Sequence, residues 1–153
     1  MLRFLLLFVF ALPIHTGTAL AKKPSKQETR RDQKEHADLG ERADIYWRSV
    51  RWADAPSASV FIENPNDRIL FHQWLKTQGN TQKITEAKVL HVNVSKEIRK
   101  PKDGRIRTAR VTVSIEGYKL TEQVLKEQTL TQDWYRTEAG WFVDWTPPPP
   151  PKP

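Results

Sequence analysis

Proton transfer at neutral pH needs a histidine, or a carboxylate whose proton affinity its surroundings have changed. The chain has 4 histidines and 18 acidic residues. His91 is the leading candidate. It lies mid-way along "ITEAKVLHVNVS", where a period of two places it on one face with Ala87 and Val89, near Asp133 or Tyr135. The competing reading is a packed, hydrogen-bonded histidine with no chemistry. His72 falls between the apolar and polar sides of a helical segment, and His36 falls in a polar stretch. Glu127 and Asp133 share parity with Thr129, Thr131 and Tyr135, the pattern of a wet face. The apolar face of "RTARVTVSIEGY" (Ala109, Val111, Val113, Ile115) offers no acid. There is no H-E-x-x-H, no histidine pair at ligand spacing and no glycine loop to cradle phosphate, so neither a metal nor a cofactor is expected. Cysteine is absent, which excludes disulfides and thiolate sites.

Aromatic residues crowd the end of the chain. "QDWYRTEAGWFVDW" holds Trp134, Tyr135, Trp141, Phe142 and Trp145. Trp141, Val143 and Trp145 have one parity and Phe142 the other, so a strand here would turn its indoles to a single side. Two readings stand: rings that close a core across a hairpin, or rings that touch a ligand.

Basic residues concentrate in "KEIRKPKDGRIRTAR", where Lys96, Arg99, Lys100, Lys102, Arg105, Arg107 and Arg110 meet only Glu97 and Asp103. Pro101 and Asp103-Gly104 mark a hairpin turn. Such a turn is either solvated charge that blunts a sheet edge or a docking surface for an anionic partner. Lys96, Arg99, Lys100, Lys102, Arg105 and Arg107 are the docking candidates.

The ends of the chain indicate a compartment. "MLRFLLLFVFALPIHTGTALA" has Arg3, an apolar run from Phe4 to Leu12, and Ala19-Leu20-Ala21 ahead of polar "KKPSKQ". That is the layout of a signal peptide over residues 1–21, with cleavage expected after Ala21. The run is about half the roughly 20 residues of a spanning helix, so no stable span is expected after cleavage; retention of Leu2–Leu20 as an anchor is the alternative. Export without cysteine suits a bacterial periplasmic or secreted protein. Nucleic acid is then not an expected partner, whereas a protein or an anionic envelope component is. The tail "TPPPPPKP" is expected to be extended polyproline II, from Pro147 onward.

Between these ends, residues 22–37 carry no large apolar side chain and read as a polar linker or a polar helical extension. Asp38 and Glu41 resemble a capping box, from which Leu39, Ala43, Tyr46, Val50 and Ala53 recur at helical spacing, with Ile45, Trp47 and Trp52 widening the stripe. A short helix containing Pro56 follows. Asp67 is expected to cap a third helix ending at Gly79, with Phe71, Trp74 and Leu75 on one face beside Leu70 or Ile69. After Asn80 the period changes to two, Gly117 marks a turn or bulge, and "EAG" turns the last hairpin. Helices followed by an antiparallel meander predict an α+β domain over residues 38–146.

From Asp38 to Trp145 the chain resembles the nuclear transport factor 2-like (SnoaL-like) superfamily. The resemblance rests on "YW" at 46–47, "F-x-x-W-L" at 71–75 and the closing "WYRTEAGWFV". It implies a bent antiparallel sheet forming a cone, with helices packed on it. The implied pocket draws on Tyr46, Trp74, His91 and Trp134, and the sheet is the surface through which two copies would pair. Enzymes of this type, such as ketosteroid isomerases and scytalone dehydratase, place carboxylates or histidines inside the cone. The expected function is an exported, non-enzymatic binding or assembly domain of the cell envelope, as a free domain or as a subunit of a larger complex. The alternative is a small-molecule lyase, isomerase or hydrolase using His91 or an acid in the cone.

Overall fold

The computed structural model describes residues 26–96 and 104–147. The residues expected to form a signal peptide and the prolines after Pro147 lie outside the described residues.

Helix α1 (Lys26–Arg51) spans 26 residues, about 39 Å at 1.5 Å per residue. Leu39, Ala43, Tyr46 and Val50 are all buried, so the apolar spacing translates directly into one packed face. Trp47 joins them, whereas Ile45 and Trp52 remain exposed. The helix starts well before Asp38. Most of the stretch from 22 to 37 is therefore the helical extension and not a linker, and Glu35 within it is buried. Asp38 is an interior residue 3.6 Å from Arg42, and the expected cap there does not form. The helix stops because Ala53 adopts φ 55°, with Asp54 N–H donating to the Ser49 carbonyl at 2.9 Å, a left-handed ending usually given to glycine. Ala53, expected on the apolar stripe, is exposed as a result.

Asp54 then caps α2 (Ala55–Ser59), accepting from Ser57 N–H at 3.2 Å, with Pro56 tolerated in the first turn. Helix α3 (Pro65–Thr81) is capped by Asn64, not Asp67, through a 2.9 Å bond from Asn66 N–H. It runs past Gly79 and passes straight into the sheet at Gln82, so Gly79 is no terminal cap. Phe71 and Leu75 are buried and Trp74 is half-buried, while Ile69 and Leu70 face outward.

Four strands follow: β1 (Gln82–Val94), β2 (Arg107–Lys119), β3 (Lys126–Thr137) and β4 (Gly140–Val143). They pair in chain order, all antiparallel, as a curled meander with the helices on one side. The domain is α+β, as the change of period predicts. Arg107, Ala109, Val111, Val113 and Ile115 line the inner face of β2 at every second position. Edge strand β1 is bulged between Ile84 and Glu86 and again between Val89 and His91. Each bulge adds local twist and reverses side-chain parity downstream. Gly117 lies opposite the first of them, where a Cβ would sit 2.5 Å from the Lys83 carbonyl oxygen.

The last hairpin closes the interior. Trp134, Trp141 and Val143 are at most 1% exposed. Trp134 packs edge-on to Tyr46 at 5.8 Å, and Trp145 packs edge-on to Phe71 at 5.5 Å. Val143 N–H donates to the Phe61 carbonyl at 2.8 Å, so the β4 edge is covered. No helix among the described residues is long and apolar enough to cross a membrane.

Candidate functional site

The concave side of the sheet is filled at one end and open at the other. At the filled end Tyr46 and Trp134 form one unit. Gln132 accepts the Trp134 indole N–H at 3.1 Å and also bonds the Tyr46 hydroxyl. Burial pushes the Tyr46 phenol far above its ordinary value, so it stays neutral. Both rings of this unit are buried in the core.

At the open end a cavity of about 220 Å³ lies between α1, α3 and the far ends of β1–β3. Its walls are Trp47, Val50, Trp74, Ile84, Ile115 and Leu130. A smaller cavity of about 120 Å³ adjoins it, sharing Val50, Trp74 and Ile84 and reaching Trp52 and Gln78. Lys83 borders the opening from β1 with its side chain on the face opposite Gln82 and Ile84, and Lys119 and Lys126 stand at the rim. Glu122 holds the last two from outside, at 3.2 Å from Lys119 and 2.7 Å from Lys126, and hydrogen bonds from these ammonium groups keep its carboxyl below the usual range. The lining contains neither histidine nor carboxylate. Trp47 contributes a further feature: its indole N–H is buried with no acceptor among the described residues. An orphan donor of this kind costs about 1–3 kcal/mol.

Of the four residues expected to form a pocket, Trp74 lines this cleft, Tyr46 and Trp134 are core, and His91 is elsewhere. The bulge between Val89 and His91 explains the last. It shifts Val92 and Val94 into the inward parity held by Ala87 and Val89, and leaves Leu90 and His91 exposed. His72 bonds Ser59 Oγ at 2.9 Å on the helical surface.

The basic hairpin divides in the same way. Arg99, Lys100 and Lys102 lie outside the described residues, and Lys96 is exposed. Arg105 is clamped by both carboxylate oxygens of Asp144 at 3.1 Å, 4.0 Å above the Tyr135 ring. Arg107 is not a docking residue. It is 5% exposed and points inward, bonding Glu35, Asp32 at 2.9 Å and the Ser95 carbonyl. Glu35 in turn accepts from Arg136 at 2.6 Å and Arg31 at 3.1 Å. Burial works to raise the Glu35 pKa, but these guanidinium partners outweigh it and hold the carboxyl below its ordinary value of 4.5. A carboxylate held this way is a structural counter-ion and a poor general base.

Family models, curated proteins and solved structures give no match to this chain.

Sequence reasoning passed over Trp47, Leu130, Gln132, Lys119 and Lys126 as site residues. A signal was present for most of them: extending the parity of Trp134 back along β3 puts Gln132, Leu130, Gln128 and Lys126 on one face.

Proposed function

We propose that this chain is an exported, non-catalytic binding domain of the bacterial cell envelope, built on a nuclear transport factor 2-like plan, and that it works through the cleft at the open end of its sheet. The observation that carries this reading is an apolar cavity walled by Trp47, Trp74, Ile84, Ile115 and Leu130 with no histidine or carboxylate in its lining. Ligand sites are typically concave and mostly apolar with a few placed polar groups, and this cleft has that composition. General acid–base chemistry by a histidine or carboxylate would need such a group in the cavity lining, which holds neither. The buried carboxylate of Glu35 is already committed to three arginines at the filled end. The leader-like residues 1–21 are the support for export.

The test is titration of the purified chain with a neutral apolar fluorophore, N-phenyl-1-naphthylamine, followed by probe emission and tryptophan quenching. Saturable one-to-one binding that Trp74→Ala weakens at least fivefold is the expected result. Binding that is absent, or indifferent to Trp74→Ala and Ile115→Asn, would refute the reading.

A further inference from the structure

The rim of the cleft says more than its walls do. Two ammonium groups, on Lys119 and Lys126, stand beside the opening, while Glu122 supplies one compensating charge from outside. We propose that the natural occupant is a single-chain anionic amphiphile, a medium-chain fatty acid whose acyl chain lies in the cleft and whose carboxylate sits among these lysines. The proposal rests on the binding reading above and specifies its ligand class.

Size limits the chain. The two adjoining cavities hold about 220 and 120 Å³. An apolar cavity of about 150 Å³ accepts benzene, or about 25 Å³ per carbon, so the pair holds at most roughly thirteen or fourteen carbons. A two-chain phospholipid is too large.

Polarity separates an acyl chain from a peptide. A peptide segment would bring backbone N–H and C=O groups against Ile84, Ile115 and Leu130, whose side chains carry no hydrogen-bonding group, and burying them unpaired is costly. Methylenes carry no such penalty. Leu120, Val124 and Leu125, exposed by 44%, 54% and 54%, extend the apolar surface outward between Lys119 and Lys126, along the path a chain would take to enter.

Charge then orients the ligand. Lys119 and Lys126, their side chains 63% exposed, line the cavity mouth at the ends of β2 and β3. A carboxylate here accepts charge-assisted hydrogen bonds at the water boundary while its chain is buried, and competes with Glu122 for the same ammonium groups. Neither an alcohol nor an amine of equal length gains this.

The experiment is displacement of N-phenyl-1-naphthylamine from the purified chain by octanoate, decanoate, dodecanoate, decanol, decylamine and an acidic amphipathic peptide, at low and high salt. Affinity is expected to rise about fourfold per added methylene up to the length the cleft holds. Decanoate is expected to displace at least ten times better than decanol, and the ratio to shrink toward one in Lys119→Gln/Lys126→Gln and in high salt. A probe that never binds removes the cleft reading itself. A probe that binds while decanoate and decanol compete equally, or while decylamine or the peptide wins, overturns the fatty-acid assignment alone.

Discussion

Glu35 on α1 and Arg107 on β2, 72 residues apart, form a buried ion pair with side chains 7% and 5% exposed. Arg136 on β3 and Arg31 on α1 complete the shell around the carboxylate, and Asp32 takes the far side of Arg107. The polar start of α1 is thereby tied to the strand ends that close the filled end of the sheet.

Breaking a buried pair costs about 3–5 kcal/mol when the remaining charge is uncompensated, and with Glu35 removed Arg107 keeps Asp32 at 2.9 Å, so that range is the upper bound here. Glu35→Ala is therefore expected to lower unfolding free energy by up to that amount in urea, whereas Glu35→Leu/Arg107→Met should recover most of it. Acid should expose the same pair. The folded pKa of Glu35 is depressed, so its contribution is complete above its ordinary value of 4.5 and fades as pH falls from there through the lower folded value. Glu35→Gln should flatten the stability curve in that acid window and nowhere above it. An unchanged slope would mean the pair is neutral to folding.

The end of α1 stores backbone strain that can be removed. Ala53 sits at φ 55°, where an L side chain costs about 1–2 kcal/mol, and glycine's added freedom in the unfolded chain returns about 0.4–1 of that. Ala53→Gly is expected to raise stability by roughly 0.5–1 kcal/mol, the difference between those two effects, read from the denaturation midpoint.

These residues also show where sequence was a sufficient guide. The helical spacing of Leu39, Ala43, Tyr46 and Val50 and the alternation from Ala109 to Ile115 fix which faces are buried, because burial follows local period when an element is regular. His91 was misplaced because a bulge inserts a residue without any local signature: no glycine or proline marks Leu90, and the extra residue is accommodated by pairing with β2. Arg107 was misread for a related reason. Its charge is locally indistinguishable from Arg105 or Arg110, and only the distant Glu35 and Asp32 explain its burial. The start of α1 was placed late because a polar segment can be ordered by ion pairs that composition does not reveal. The cleft was half legible: its apolar walls follow from strand parity, while its opening depends on how the sheet curls.

Tyr135 and Arg105 make a second ordered cluster on the outer face. The Tyr135 hydroxyl donates to Glu63 at 3.1 Å, and burial, reinforced by that carboxylate, pushes the phenol up to about 12. Tyr135→Phe is expected to cost about 1 kcal/mol, a typical net hydrogen bond. Its pH dependence has the opposite sense to that of Glu35. With a raised folded pKa, the contribution is intact below the ordinary phenol value of 10 and is lost as pH climbs toward about 12. Wild-type and Tyr135→Phe chains should thus differ in urea midpoint at neutral pH and converge in strong base. A constant gap would assign the effect to ring packing.

Gly117 and Gly40 should respond to the same substitution with opposite signs. A Cβ at Gly117 would meet the Lys83 carbonyl oxygen at 2.5 Å, and that atom belongs to the bulged backbone of β1, which cannot rotate away. Gly117→Ala is expected to destabilise by about 1–3 kcal/mol as the strands part. Gly117 and Lys83 both line the cleft, so the same variant should weaken naphthylamine binding. Gly40 is inside α1, where an added Cβ meets Val92 only at 4.0 Å, an ordinary contact. Gly40→Ala should stabilise by up to about 1 kcal/mol through helix propensity and leave probe affinity unchanged. Both variants are read by thermal midpoint and probe titration together. A Gly117→Ala chain that keeps wild-type stability and affinity would show that β1 can yield at its bulge.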